Sequence, residues 1–347
     1  MDLAELKSTI QQHMSDGLVL IVGSGLSCAE GLPGMSDLAV RLASSVGPKL
    51  TPTLLLEWNT LLSKIGAVGL ETAFADQSPS GELEEIIRKE VGDFIASCEM
   101  SVVTEVFQGK RTLRLTRLLK HLLRPTNGIQ VVTTNYDCLV EVAAEEAGLG
   151  VDTMFNGVFA ARLSEKETRM SFCRNVTLHN KTGVRYHYAE HVVINKPHGS
   201  LDWYDRNGTP VRHCGELPDA TRLILPPGRN KYRDGYSSPF DLHRERANKA
   251  IDRASRFLII GYGFNDDHLE THLATKIKSG VPTILLTHTL SPKARAVLNF
   301  SSQVMALEDA TSAGAPATRV YRDGAKDVFN GLQLWDINNL VSEVFEP

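Results

Sequence analysis

Asn135 and Asp137 close the string Thr133-Thr134-Asn135-Tyr136-Asp137, which runs out of the apolar segment Ile129–Thr133. Open α/β sheets bind ligands outside the carboxyl ends of their strands, so this pair sits where a crevice is expected. With one residue between them, one side chain can face that crevice while the other enters the following helix. A pair that merely caps the helix is the alternative. His198 stands in Lys196-Pro197-His198-Gly199-Ser200, fixed by the proline before it and followed by a glycine that permits close approach. A histidine so placed can act as a general base; a structural histidine is the plainer alternative.

The third candidate is Gly23-Ser24-Gly25-Leu26-Ser27-Cys28, directly after Leu18–Val22. Glycines let a backbone approach a pyrophosphate, and a following helix favours its charge. The dinucleotide fingerprint GxGxxG is incomplete, because Cys28 occupies its third glycine position. No acidic residue closes a second strand about 20 residues later, so a tight strand–helix turn remains the competing reading. Gly31-Leu32-Pro33-Gly34 adds a rigid, tightly turned segment.

The elements that must position these groups read as an α/β fold, a Rossmann-like doubly wound parallel sheet with a helical insertion. Apolar, β-branched runs at Leu18–Val22, Ile129–Thr133, Arg222–Leu225, Phe257–Ile260 and Thr283–Leu286 are expected parallel strands, and His191–Asn195 is a further candidate strand. The chain before the first strand puts Leu3, Leu6, Ile10 and Met14 on one helical face. Helical periodicity over Ser36–Ser45, Leu54–Lys64, Leu83–Ser97 and Thr112–Leu123 makes residues 47–124 an insertion between the first two strands. A helix is expected over Cys138–Ala147, a second insertion over about 151–190, a mobile lid-like loop over Pro226–Pro239, and a helix over Asp327–Phe345. The division is residues 1–290 as the ligand-binding domain and 291–347 as a C-terminal appendage.

The 347 residues carry 37 basic and 41 acidic side chains, a net charge of −4 that argues against a general nucleic-acid coat or a membrane-surface binder. No run approaches the roughly 20 apolar residues of a membrane helix. The five cysteines form no CxxC pair, which excludes a zinc ribbon or short-spaced iron–sulfur site, so no metal is expected. A cytoplasmic protein is the expectation.

GSGLS, GLPG, TTNYD, KPHGS and the later GYGFND follow one another in the order found in the sirtuin superfamily. Over residues of about 16–290 the chain resembles the SIR2-like NADase domains of bacterial antiphage defence proteins, including the SIR2 subunit of SIR2–HerA type systems. The resemblance implies NAD as substrate, hydrolysed to nicotinamide and ADP-ribose. By position, Gly23, Ser24, Gly25 and Ser27 would cradle the pyrophosphate, with Gly31, Pro33 and Thr134 alongside. Asn135 would orient the attacking water, Asp137 would contact the carboxamide, and His198 would act as base or ribose-hydroxyl partner. Gly261, Gly263, Phe264 and Asn265 would line the adenosine side. The resemblance also implies a homo-oligomer, with control by oligomerisation or by a HerA-type partner ATPase. Protein-deacylating sirtuins carry an aromatic–basic pair after this GxP segment and a four-cysteine zinc module; here Met35-Ser36 follows and CxxC is absent, which favours water as acceptor. An NAD- or ADP-ribose-sensing module and a deacylase or ADP-ribosyl transferase are the alternatives.

Arg111, Arg114, Arg117, Lys120 and Arg124 recur at helical spacing without interleaved aromatics, the pattern of a solvated face rather than a nucleic-acid surface. His268 with His272, and His187 with His191, have i, i+4 spacing without a third ligand.

Overall fold

The computed structural model describes residues 1–179, 183–217, 220–226 and 237–346. Its main sheet has nine strands. In chain order these include β1 (Leu18–Val22), β2 (Ile129–Thr133), β3 (Gly150–Asp152), β8 (His191–Asn195), β12 (Arg256–Ile260) and β13 (Thr283–Thr287). The others are β14 (Val304–Asp309), β15 (Ala317–Arg322) and β16 (Ala325–Asn330). The spatial order is β16-β15-β14-β13-β12-β1-β2-β8-β3. All pairs from β14 to β3 are parallel, and β15 and β16 add an antiparallel edge. The chain starts centrally at β1, goes to β2 on one side and returns to β12 on the other. That reversal opens a crevice at the carboxyl ends.

The strands are apolar on both faces because helices cover both. Leu20, Val22, Leu258 and Ile260 point into one core, whereas Val19, Ile21, Phe257 and Ile259 point into the other. The second core is closed by the helices Phe240–Arg253 and Asp267–Lys278. On the first face pack most of the helices between β1 and β2: Met35–Ser45, Pro52–Val68, Leu70–Asp76, Gly81–Phe107 and Arg114–His121. The helix Pro52–Val68 shows why such segments form. Thr51 caps it, Pro52 suits its first turn, and Leu54, Trp58, Leu61 and Ile65 make one buried stripe. The short helix Leu70–Asp76 was not expected, since about two turns carry too little periodicity.

Three elements differ from the sequence reading. Arg222–Leu225 yields β11 (Arg222–Ile224), which pairs antiparallel with β9 (Gly199–Arg206) in a separate sheet ordered β11-β9-β10-β5-β4. Its remaining members are β4 (Phe155–Asn156), β5 (Ala161–Leu163) and β10 (Thr209–Arg212). A short apolar run is compatible with either sheet, and only its partners decide. The second insertion also contains a hairpin of β6 (Cys173–His179) and β7 (Gly183–Tyr188). The end of the chain forms β16 and then a helix restricted to Ile337–Val344, separated by Gly331 at φ +80°. Most of the expected lid loop, residues 227–236, lies outside the described residues. The sheet itself continues through residue 290, because β14 hydrogen bonds alongside β13.

The arginine stripe holds the chain's own elements together. Arg114 Nε meets Asp336 at 2.8 Å, Arg117 Nη2 meets Ser342 at 2.9 Å, and Arg111 Nη1 meets the Glu30 carbonyl at 2.9 Å. A larger cleft of about 430 Å³ lies at the amino ends of β1, β2 and β8, where Arg246 and Asp152 pair at 2.9 Å. It is at the opposite end of the sheet from the motifs above.

Candidate active site

Register brings the motifs together. Val22 of β1 is level with Ile260 of β12 and Thr133 of β2, so the turns that follow these strands leave the sheet side by side. Gly23 and Gly25 pack directly on Gly261: a Cβ on Gly23 would lie 2.4 Å from the Gly261 carbonyl oxygen, and one on Gly25 would lie 2.7 Å from the Gly261 Cα. Gly261 itself has φ +57°. These glycines are there because two backbones touch. The Gly25 N–H donates to the Gly261 carbonyl at 2.9 Å, which seals the contact.

Ser27, in the short helix Ser24–Ala29, links this turn to the end of β2. Its hydroxyl donates to Asp137 Oδ2 at 2.7 Å and accepts from Asn135 Nδ2 at 2.9 Å. Asn135 Nδ2 also donates to the Gly23 carbonyl at 3.0 Å. With both amide protons so directed, the group Asn135 can turn toward a ligand is its carbonyl oxygen. Asp137 Oδ1 accepts the Leu139 N–H at 3.2 Å, so Asp137 fixes the start of the helix Leu139–Glu146 while its other oxygen holds Ser27. The capping and crevice readings therefore describe one and the same residue.

His198 occupies the turn where the chain leaves β8 and enters β9. Gly199 has φ +86°, and a Cβ there would lie 2.0 Å from the Leu223 carbonyl oxygen, so glycine is required to make this corner. The His198 carbonyl accepts the Leu225 N–H at 2.9 Å, and its Nε2 is hydrogen-bonded to Asp266 Oδ2.

Beneath the site Lys196 is fully buried. Its ammonium donates to the Asp137 carbonyl at 2.6 Å, Ser200 Oγ at 2.9 Å, Glu141 Oε1 at 3.0 Å and the Tyr136 carbonyl at 3.3 Å. Burial opposes its charge, but Glu141 and the other anionic groups around it hold its pKa above the usual lysine range. Lysine is rarely buried unpaired, so this cation is an internal tie that holds the Asn135–Asp137 segment.

The cavity these groups enclose has a volume of about 180 Å³. Ser24, Ser27, Pro33, Thr134, Asn135, Asp137, His198, Gly263 and Asn265 line it, as the sequence reading grouped them. Gly23, Gly25, Gly31, Gly261 and Phe264 do not. Phe264 is buried in the core at φ +57°, and it supports the wall from behind. Glu71, Tyr262 and Asp266 are among the other residues that line it and were not proposed as site residues from sequence. Asp266 lies directly after the GYGFN string, in the N-cap position of Asp267–Lys278. The ionisable side chains of this wall are Glu71, Asp137, Asp266, His198 and the two tyrosines, with no lysine or arginine among the described residues. His187 and His191 lie on successive strands, and the His268 side chain lies outside the described residues.

Glu99, in Gly81–Phe107, accepts the Cys138 N–H behind Asp137. Burial, then the Asp137 charge, pushes its carboxyl up to about 8 from 4.5. The folded state thus binds this proton more tightly, and its stabilising effect, complete below pH 4.5, is lost as pH rises through 8. Glu99→Gln keeps an acceptor for Cys138 and is never charged. Thermal melts should show it more stable than wild type above pH 8 by on the order of 1–3 kcal/mol, with the gain vanishing near pH 4.

A family model described as SIR2-like domain matches residues 129–296. The matched stretch includes β2, the His198 turn and the β12 turn. Among solved structures, one of a study of the structural basis of sirtuin substrate affinity is 14% identical, covering 86% of this chain and 98% of that one, with a TM-score of 0.42. A mutant Sir2 homologue in complex with ADP-ribose is also 14% identical, covering 85% and 88%, with a TM-score of 0.41. Sir2Tm bound to a propionylated peptide is 13% identical, covering 84% and 89%, with a TM-score of 0.39. No curated protein matches the chain.

Proposed function

We propose that the chain hydrolyses NAD to nicotinamide and ADP-ribose at the cavity between the β2, β8 and β12 ends. The observation that carries this reading is the acidic wall of Glu71, Asp137 and Asp266 beside Asn135 and His198, all but Glu71 lying in the stretch that the SIR2-like domain model matches. Such a wall suits a cation, and the N-ribosyl pyridinium of NAD is one. During cleavage the positive charge passes from the ring to the ribose, so carboxylates help the rate only as far as they favour the later position.

The C–N bond breaks with its electron pair going to the pyridine nitrogen, so nicotinamide departs neutral and needs no proton. Water oxygen bonds to the ribose C1′ and its proton passes to His198. The sum is NAD⁺ plus water giving nicotinamide, ADP-ribose and a proton. In this reading the Asn135 carbonyl oxygen orients that water, Asp137 contacts the carboxamide, and Ser24 contacts the pyrophosphate. The cell-level consequence in this reading is NAD depletion in antiphage defence. The protein acts in the cytoplasm as a homo-oligomer or under a HerA-type partner ATPase.

The acidic wall predicts a preference for the oxidised cofactor. Asn135→Ala protein, used to prevent turnover, should be raised in melting temperature more by NAD⁺ than by equal NADH, whose ring is neutral. Equal stabilisation by both would remove the cation argument.

A further inference from the structure

We propose that Asp266 is a positioning residue that holds His198 as the Nε2–H tautomer and so makes Nδ1 its basic atom, an inference that rests on the hydrolytic reading of this cavity. The hydrogen bond between His198 Nε2 and Asp266 Oδ2 joins two turns, one after β8 and one after β12. An ionised carboxylate only accepts, so the shared proton belongs to Nε2. Asp266 is held from two further directions. Its Oδ1 accepts the Leu269 N–H at 3.0 Å, and its own N–H donates to Glu270 Oε1 at 2.8 Å. The pair is mostly shielded, with side-chain exposures of 11% for His198 and 10% for Asp266. A carboxylate clamped this way cannot turn from the imidazole without giving up the helix cap.

In the hydrolytic step Nδ1 receives the water proton while the O–C1′ bond forms and the C–N pair leaves with nicotinamide. Asp266 stays ionised and stabilises the imidazolium that results. Glu71 and Asp137 are the other carboxylates that line the cavity.

The tautomer is read by long-range ¹H–¹⁵N spectra of the wild-type chain, with His198→Gln used for assignment. The expected result is a protonated Nε2 and a bare Nδ1 in neutral His198. A protonated Nδ1 overturns the proposal, and this readout survives any variant that fails to fold. Asp266→Asn retains an acceptor for Leu269 but loses the charge that selects the tautomer. Its kcat should fall by about 10²–10⁴-fold with KM for NAD nearly unchanged and melting temperature within a few degrees. An unchanged kcat overturns the proposal too. A wild-type chain that consumes no NAD overturns the hydrolytic reading, and the catalytic part of this inference with it, while the spectra still report the tautomer.

Discussion

Asn135→Ala should reduce nicotinamide release by about 10²–10⁴-fold, and His198→Ala by a comparable factor, while each variant keeps the wild-type circular dichroism spectrum. Asn135 has both amide protons committed, to the Gly23 carbonyl and Ser27, so the turn after β1 sets the direction of its carbonyl oxygen. Alanine removes that acceptor and frees Ser27, yet leaves β2 and its neighbours paired. The loss therefore belongs to water positioning. His198→Ala removes the proton acceptor and spares the Gly199 corner, whose geometry rests on the glycine. Wild-type rates from either purified variant would remove these residues from the reaction.

Lys196→Met is expected to be the most destabilising single change in the site, by about 3–5 kcal/mol. Methionine fills a similar volume but donates to nothing. It leaves Glu141 without its cation, and the Asp137 and Tyr136 carbonyls and Ser200 without a donor. Removing one partner of a buried ion pair costs far more than the pair itself contributes. The Asn135–Asp137 segment would also lose its support, so activity should fall even at temperatures where the variant is folded. Chemical denaturation gives the first quantity and nicotinamide release the second. A variant as stable and active as wild type would show that Lys196 does not hold the segment.

The parts of the site that lie within single turns were legible in the sequence. Asn135, Asp137 and His198 each follow an apolar strand, and strand ends at one edge of a parallel sheet meet by construction. What pairs those turns was not legible. The Asp266 cap is a local contact, whereas its contact with His198 arises only when β12 and β8 are placed in one sheet. Nothing in KPHGS shows that Lys196 is buried against Glu141. The two glycines of the first turn suggested room for phosphate; the structure gives them close contact with Gly261. In the fold, strands flanked by helices were recovered, but Arg222–Leu225 went to the wrong sheet and Asp327–Phe345 was read as one helix. The strand Ala325–Asn330 is a solvent-facing edge whose partners, rather than its own apolar content, make it a strand.

The most direct measurement is product analysis. The purified full chain is incubated with NAD, alone and with the product of any ATPase gene beside its own, and nicotinamide and ADP-ribose are quantified by chromatography. Equal amounts of the two, formed without any acylated peptide and lost in Asn135→Ala, are the predicted result. Intact NAD after prolonged incubation under both conditions, or nicotinamide release only when an acylated peptide is added, would contradict it.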